Sequence, residues 1–153
     1  MVKVISGGQT GVDQIALEVA MDLGLETGGW MPKGFLTEDG HRPEMRELYG
    51  MEESNSSDYP TRTELNVCEG DITIILNRAM GPGSRLTQRL CRKHKKPCLV
   101  NPSMNTDLSK YKVVNFAGTR GSRLSEEDID YFHTVIRQLL NNNNPFAGML
   151  KSN

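Results

Sequence analysis

Two glycine turns in this 153-residue chain have the composition of anion sites. The first is Ser6-Gly7-Gly8-Gln9-Thr10-Gly11-Val12-Asp13, and the second is Arg78-Ala79-Met80-Gly81-Pro82-Gly83-Ser84. Each follows an apolar run and opens into a helical pattern. Glycines let a ligand approach the main chain, and the first N–H groups of the following helix point outward at the positive end of its dipole. Phosphate is the usual occupant; a bare strand-to-helix turn is the alternative. A third polar turn, Asn115 to Arg120, ends in a planar guanidinium fork suited to phosphate. Between the turns, Trp30 could stack on a planar ring or equally plug the core or an oligomer interface, and Lys33 could neutralise a phosphate or simply be solvated. Arg62 and Glu64 either face a crevice or form a surface pair. His41, His94 and His133 lack ligand spacing, so no protein-built metal site is expected.

These residues need elements to place them. Val2 to Ile5 reads as a strand. Ile15, Ala16, Val19, Ala20 and Leu23 form the stripe of a first helix, with Thr10 and Asp13 spaced like a capping box and Gly24 as its stop. Gly28 to Gly34 reads as a short strand and turn, and the polar stretch from Thr37 to Ser57 as a long ligand-facing loop. Asp58 caps a short helix that ends before Gly70. Asp71 to Asn77 is nearly continuously β-branched, as in a central parallel strand. A helix from about Ser84 to Lys95 follows, then strands over 96–101 and 112–118. Ser125 and Asp128 cap a last helix whose stripe is Ile129, Phe132, Ile136, Leu139 and Leu140. The Asn141 to Asn144 run and the tail to residue 153 are expected to fray.

Alternating strands and helices imply a Rossmann-like, doubly wound α/β/α sandwich over residues 1–142, around a mainly parallel sheet. In such sheets the ligand crevice lies beyond the carboxyl ends of the strands. All three polar turns would meet there.

Composition narrows the partners. A net charge of −1 argues against a general nucleic-acid or membrane surface. The basic cluster Arg89, Arg92, Lys93, His94, Lys95 and Lys96 is what a helix C-terminus carries on dipole grounds alone. Three cysteines, Cys68, Cys91 and Cys98, without C-x-x-C spacing read as reduced thiols. No apolar run approaches membrane-spanning length, and no signal-peptide pattern opens the chain. A cytoplasmic protein with a small phosphorylated ligand is expected.

Taken together, Ser6 to Asp13, Gly28-Gly29-Trp30-Met31-Pro32-Lys33-Gly34, Glu38-Asp39-Gly40, Tyr59 with Arg62 to Val67, and Asn115-Phe116-Ala117-Gly118 resemble the molybdenum cofactor carrier family. That family is similar to a wider group of Rossmann-like nucleotide binders that includes the cytokinin-activating phosphoribohydrolases and a domain of the DNA-processing protein DprA. The resemblance implies a homo-oligomer, commonly a dimer or tetramer. It also implies a bound molybdenum cofactor, a phosphate-bearing pterin, or a nucleotide. By the same resemblance, ligand contacts fall to Gly7, Gly8, Gln9, Thr10 and Gly11, and to Gly81, Gly83, Ser84 and Thr87. Asp13, Trp30, Lys33, Asn115 and Arg120 complete the candidate set.

The second turn departs from the family pattern: Pro82 removes a donor and Arg85 enters the first helical turn. The phosphoribohydrolase signature Pro-Gly-Gly-x-Gly-Thr-x-x-Glu is absent, and Gln88 follows Thr87 in a helix without an acid. A non-catalytic binding protein is therefore favoured over an N-glycosidic hydrolase acting on a nucleotide or ADP-ribose-like ligand. Asp13, Asp39 or Glu64 would have to supply the carboxylate for that chemistry.

Overall fold

A computed structural model describes residues 1–147. Strand β1 (Lys3–Ser6) leads into helix α1 (Val12–Asp22) and strand β2 (Glu26–Met31). A small hairpin, β3 (Leu36–Thr37) and β4 (Gly40–His41), and helix α2 (Met45–Tyr49) precede strand β5 (Met51–Glu53). Helix α3 (Tyr59–Glu69), strand β6 (Ile72–Leu76), helix α4 (Pro82–Lys93) and strand β7 (Cys98–Val100) follow. Strand β8 (Val113–Gly118), a 3₁₀ turn (Gly121–Arg123) and helix α5 (Glu126–Asn142) complete the order.

Six strands form one parallel sheet in the order β5-β2-β1-β8-β6-β7. The chain builds outward from β1 through β2 to β5, starts again at β6, and finally inserts β8 between the two halves. The strand order thus reverses beside β1 and β8, where an α/β sheet opens a crevice.

Alternation along the strands separates two faces. Val4, Ile72, Ile74, Leu76, Val114 and Phe116 pack under α1 and α5 in the main core, with Ala16, Val19, Phe132 and Ile136. On the opposite face, Val67 of α3 meets Leu90 and Cys91 of α4. The doubly wound architecture read from the sequence is the one observed.

Residues 37–57 differ from the expected open loop. Met45 and Met51 are buried with Leu17, Met31 and Phe35 in a third cluster, and β5 pairs with β2. The apolar residues are too sparse for a periodic signal, yet each fills one gap at the sheet edge. Helix α4 begins at Pro82, two residues earlier than expected. Proline suits a first turn, because the N–H it lacks has no partner inside the helix.

The cap at Ser125 forms as a full capping box with Asp128, and Asp58 accepts from the Thr61 N–H at 2.8 Å. The capping box expected from Thr10 and Asp13 does not form. Gly11 occupies the N-cap, at φ 83°, while Asp13 accepts from the Gln9 N–H at 3.2 Å.

Asn143 and Asn144, in the run expected to fray, make side-chain hydrogen bonds to the body of the domain. The Asn143 oxygen accepts from Leu108 N–H at 2.8 Å, and the Asn144 amide donates to the Leu23 carbonyl at 3.1 Å. Residues 148–153 of the expected tail lie outside the described residues.

Candidate functional site

Beyond the carboxyl ends of β1, β8 and β6 lies a crevice walled by α3 and the start of α4. Of the expected site residues, Gly7, Gln9, Asp13, Gly83, Ser84, Thr87, Asn115 and Arg120 line it. Gly81 lies in an adjoining hollow with Arg120 and Arg123. Gly8, Thr10, Gly11, Trp30 and Lys33 do not line the crevice. Trp30 is half-buried in β2, its backbone held at both ends by the Asn66 amide (2.9 and 3.0 Å), and Lys33 is exposed.

The two glycine turns are not equivalent. In the first, the Gly8 N–H donates to Ser6 Oγ at 3.3 Å, Thr10 N–H to Gln9 Oε1 at 3.1 Å, and Val12 N–H to the Thr119 carbonyl at 3.1 Å. With Gln9 N–H bound to Asp13, most of the donors expected to cradle a phosphate are already engaged. Thr10 is engaged too: its hydroxyl donates to Glu38 Oε1 and accepts from Gly121 N–H at 3.0 Å. Glu38 also accepts from the Ser122 N–H at 2.8 Å and hydroxyl at 2.7 Å. Burial raises the Glu38 carboxyl, but the hydrogen bonds from Thr10 and Ser122 hold it below the ordinary glutamate range.

The second turn is open. Its N-cap, Gly81, makes no side-chain cap bond, and the helix's own hydrogen bonding begins at Arg85 N–H, which donates to the Gly81 carbonyl at 3.0 Å. The Gly83 and Ser84 N–H groups have no partner within the helix. Thr87 turns back, its hydroxyl donating to the Gly83 carbonyl at 3.0 Å.

At the crevice floor sits a buried ion pair. Arg62 Nη1 lies 3.4 Å from Asp13 Oδ2 and donates to the Gly7 carbonyl at 2.7 Å. The side chains are 7% (Asp13) and 8% (Arg62) exposed as residues, so both charges are largely removed from water. Burial pushes the Asp13 carboxyl up to about 6, against the lowering pull of Arg62 and of the Gln9 N–H. Burial likewise lowers Arg62, with Asp13 opposing. Gly7 is required here, because a Cβ would sit 1.8 Å from Arg62 Nη1.

Arg62 thus faces the crevice, whereas Glu64 pairs outside with Lys93 Nζ at 2.9 Å and His94 Nε2 at 2.7 Å. Asp39 is exposed and does not line the crevice. Among the described residues, Asp13 is the one acid in the lining.

Tyr59, Thr63 and Asn66 were not singled out as ligand-facing, yet they line the crevice from α3. Their signal was present. Tyr59, Arg62 and Asn66 share one helix face, and that face turns inward although two of the three are strongly polar. The Tyr59 ring lies under two guanidiniums, at 5.1 Å from Arg62 and 5.7 Å from Arg120. Two amides of the crevice lining remain incompletely bonded: Gln9 Nε2 and Asn115 Oδ1 are buried without a hydrogen-bond partner.

Comparison with known proteins gives this arrangement a setting. Residues 4–139 match the family model described as the circularly permutated YpsA SLOG family. A crystal structure of the "Putative molybdenum carrier protein" from Syntrophus aciditrophicus SB is similar at 34% sequence identity and a TM-score of 0.77, over 94% of this chain and 95% of that one. No curated protein matches the chain.

Proposed function

Because the chain belongs to the circularly permutated YpsA SLOG family, we propose that its crevice binds a small phosphorylated ligand, a pterin such as the molybdenum cofactor or a nucleotide, and carries it without altering it. The observation that carries this reading is the meeting of the open α4 N-terminus with Arg120 at one strand edge, above two buried amides that lack partners. A phosphate at Gly83 and Ser84 gains the helix N–H groups, and Arg120 adds its fork. The name of the similar carrier protein points the same way.

A pterin fits the donor set. Its phosphate has the α4 mouth, its ring has Tyr59 and the amides, and any molybdenum arrives on the pterin as cargo. Among the described residues no group of three or more His, Cys, Asp or Glu is placed to hold a metal ion. The described helices include none long and apolar enough to cross a membrane, and a cytoplasmic location is part of the proposal. We also propose a homo-oligomer, dimer or tetramer.

Native mass spectrometry of freshly purified protein tests the reading directly, since it weighs a retained molecule and counts subunits together. A retained phosphorylated pterin or nucleotide is expected. If no phosphorylated ligand is retained and none shifts the melting temperature, the carrier reading falls.

A second reading rests on Asp13. A buried carboxylate held near 6 in a crevice is suited to proton transfer at neutral pH, so N-glycosidic hydrolysis of a nucleotide or ADP-ribose is the competing activity. Incubation with nucleoside monophosphates and ADP-ribose separates the two. Released base that disappears in Asp13→Asn would establish the enzyme; intact ligand retains the carrier.

A further inference from the structure

The crevice has two chemically different ends, and the difference says which part of a ligand goes where. At the mouth stand Gly83 and Ser84 of α4 with Arg120 and Arg123, a donor-rich end without an acid in its lining. At the floor stand Gln9, Asn115 and the buried Asp13–Arg62 pair. Accepting the crevice as the ligand site, we infer that Gln9 and Asn115 are the specificity-determining residues, seating the uncharged heterocycle of a nucleotide or pterin while the phosphate stays at the α4 mouth.

The orientation of Gln9 is set by its surroundings. Its Oε1 accepts from Thr10 N–H at 3.1 Å and from Glu38 N–H at 2.9 Å, so a flipped amide would place NH₂ against two donors. The remaining group, Nε2, is a donor, and it is buried and unpartnered in a residue 6% exposed. Asn115 is the complement. Its Nδ2 donates to Thr73 Oγ1 at 3.1 Å, which leaves Oδ1 as a buried, unpartnered acceptor in a residue 2% exposed. Orphaned buried amide atoms are costly and rare.

A phosphate cannot answer both. Its unprotonated oxygens offer acceptors to Gln9 but nothing to Asn115 Oδ1. A nitrogen heterocycle carries both kinds of group, a ring acceptor for Gln9 Nε2 and an N–H donor for Asn115 Oδ1. Guanine, adenine and pterin rings share both groups, and Tyr59 supplies an aromatic surface in the same wall.

The test is a calorimetric comparison of four probes, ribose 5-phosphate, AMP, GMP and neopterin monophosphate, on three folded proteins: wild type, Gln9→Glu and Asn115→Leu. Gln9→Glu keeps the oxygen that holds Thr10 and Glu38 and replaces the orphaned donor, and because its added charge weakens every anionic probe alike, its readout is the ratio of heterocyclic probe to ribose 5-phosphate. Asn115→Leu removes the acceptor without adding charge, and circular dichroism confirms that both variants fold. At least one heterocyclic probe should bind wild type about tenfold tighter than ribose 5-phosphate, the scale of one buried hydrogen bond. Each substitution should erase that advantage, and Asn115→Leu, which adds no charge, should change ribose 5-phosphate affinity by less than about threefold.

Equal binding of all four probes to wild type would overturn the inference while leaving a phosphate site at the mouth. So would variants that weaken ribose 5-phosphate as much as the nucleotide, or that leave the tenfold advantage intact. Failure of every probe to bind wild type would remove the ligand-site reading and this one with it.

Discussion

Asp13 and Arg62 illustrate how far a single pair can govern this site. Burial raises Asp13 to about 6 from an ordinary value of 3.8, so the folded state holds a proton that the unfolded state has released between those values. Stability from this group is therefore greatest below pH 4 and falls as pH rises to 6, by on the order of 3 kcal/mol. Urea unfolding at pH 4 and 6.5 should show that decline in wild type and a flatter profile in Asp13→Asn; identical profiles would contradict it. Arg62→Ala leaves the Asp13 charge and the Gly7 carbonyl without their partner and should cost about 3 kcal/mol. Gly7→Ala drives a methyl group into Arg62 Nη1 and should destabilise by the same route. The two substitutions should then combine to clearly less than their sum in a double-mutant cycle, whereas strict additivity would place the Gly7 effect elsewhere.

At the scale of elements, the site depends on connections that cross the chain. Glu38, beside the β3–β4 hairpin, ties Thr10 and Ser122, and through them holds the segment that carries Arg120. Glu38→Gln weakens those charge-assisted bonds and should cost about 1–2 kcal/mol. The local readout is amide exchange: Gly121 to Arg123 should exchange faster while β1 and β8 remain protected, and unchanged exchange would deny Glu38 its bracing role. Helix α4 offers the converse test. A Cβ on Gly83 meets nothing within 4 Å, so Gly83→Ala should leave the fold intact or stabilise it by up to about 1 kcal/mol. At the same time it should weaken phosphate-ligand binding, because the methyl group stands where the ligand approaches the helix. Undiminished affinity would move the phosphate away from this turn.

For the whole molecule, the proposed ligand couples to stability through the crevice. Binding to the native state stabilises it by mass action, about 2.7 kcal/mol at a ligand concentration one hundred times Kd. A bound nucleotide or pterin phosphate should accordingly raise the melting temperature by several degrees for a domain of this size. The increase should persist in Glu64→Gln, whose carboxylate faces Lys93 and His94 outside the crevice, and vanish in Arg120→Ala. An equal loss in both variants would mean that general surface charge, not the crevice, binds the ligand.

The sheet and its covering helices were legible in the linear chain, because β-branched runs such as Ile72 to Leu76 and stripes such as Phe132, Ile136 and Leu139 report periodicity, a local property. The strand-end position of Gly7, Gly83 and Arg120 followed from that alternation, whereas Asn115 lies inside β8, level with Ile5 and Thr73. Residues 37–57 were not legible, since Met45 and Met51 are single apolar residues whose partners lie across the sheet edge. Nor could spacing reveal that the first glycine turn satisfies its own donors while the second stays open. The Gly8, Gln9 and Thr10 N–H groups are taken by Ser6, Asp13 and Gln9 of the turn itself once their side chains fold back, and the Val12 N–H by the remote Thr119 carbonyl, which arrives when β8 inserts between β1 and β6. Composition and order thus determined the fold class and the edge at which a ligand would sit, through short-range sterics and hydrophobic pattern. Which side chains face that ligand, and with what charge, was decided by tertiary structure, because burial and remote hydrogen-bond partners arise only from contacts between distant segments.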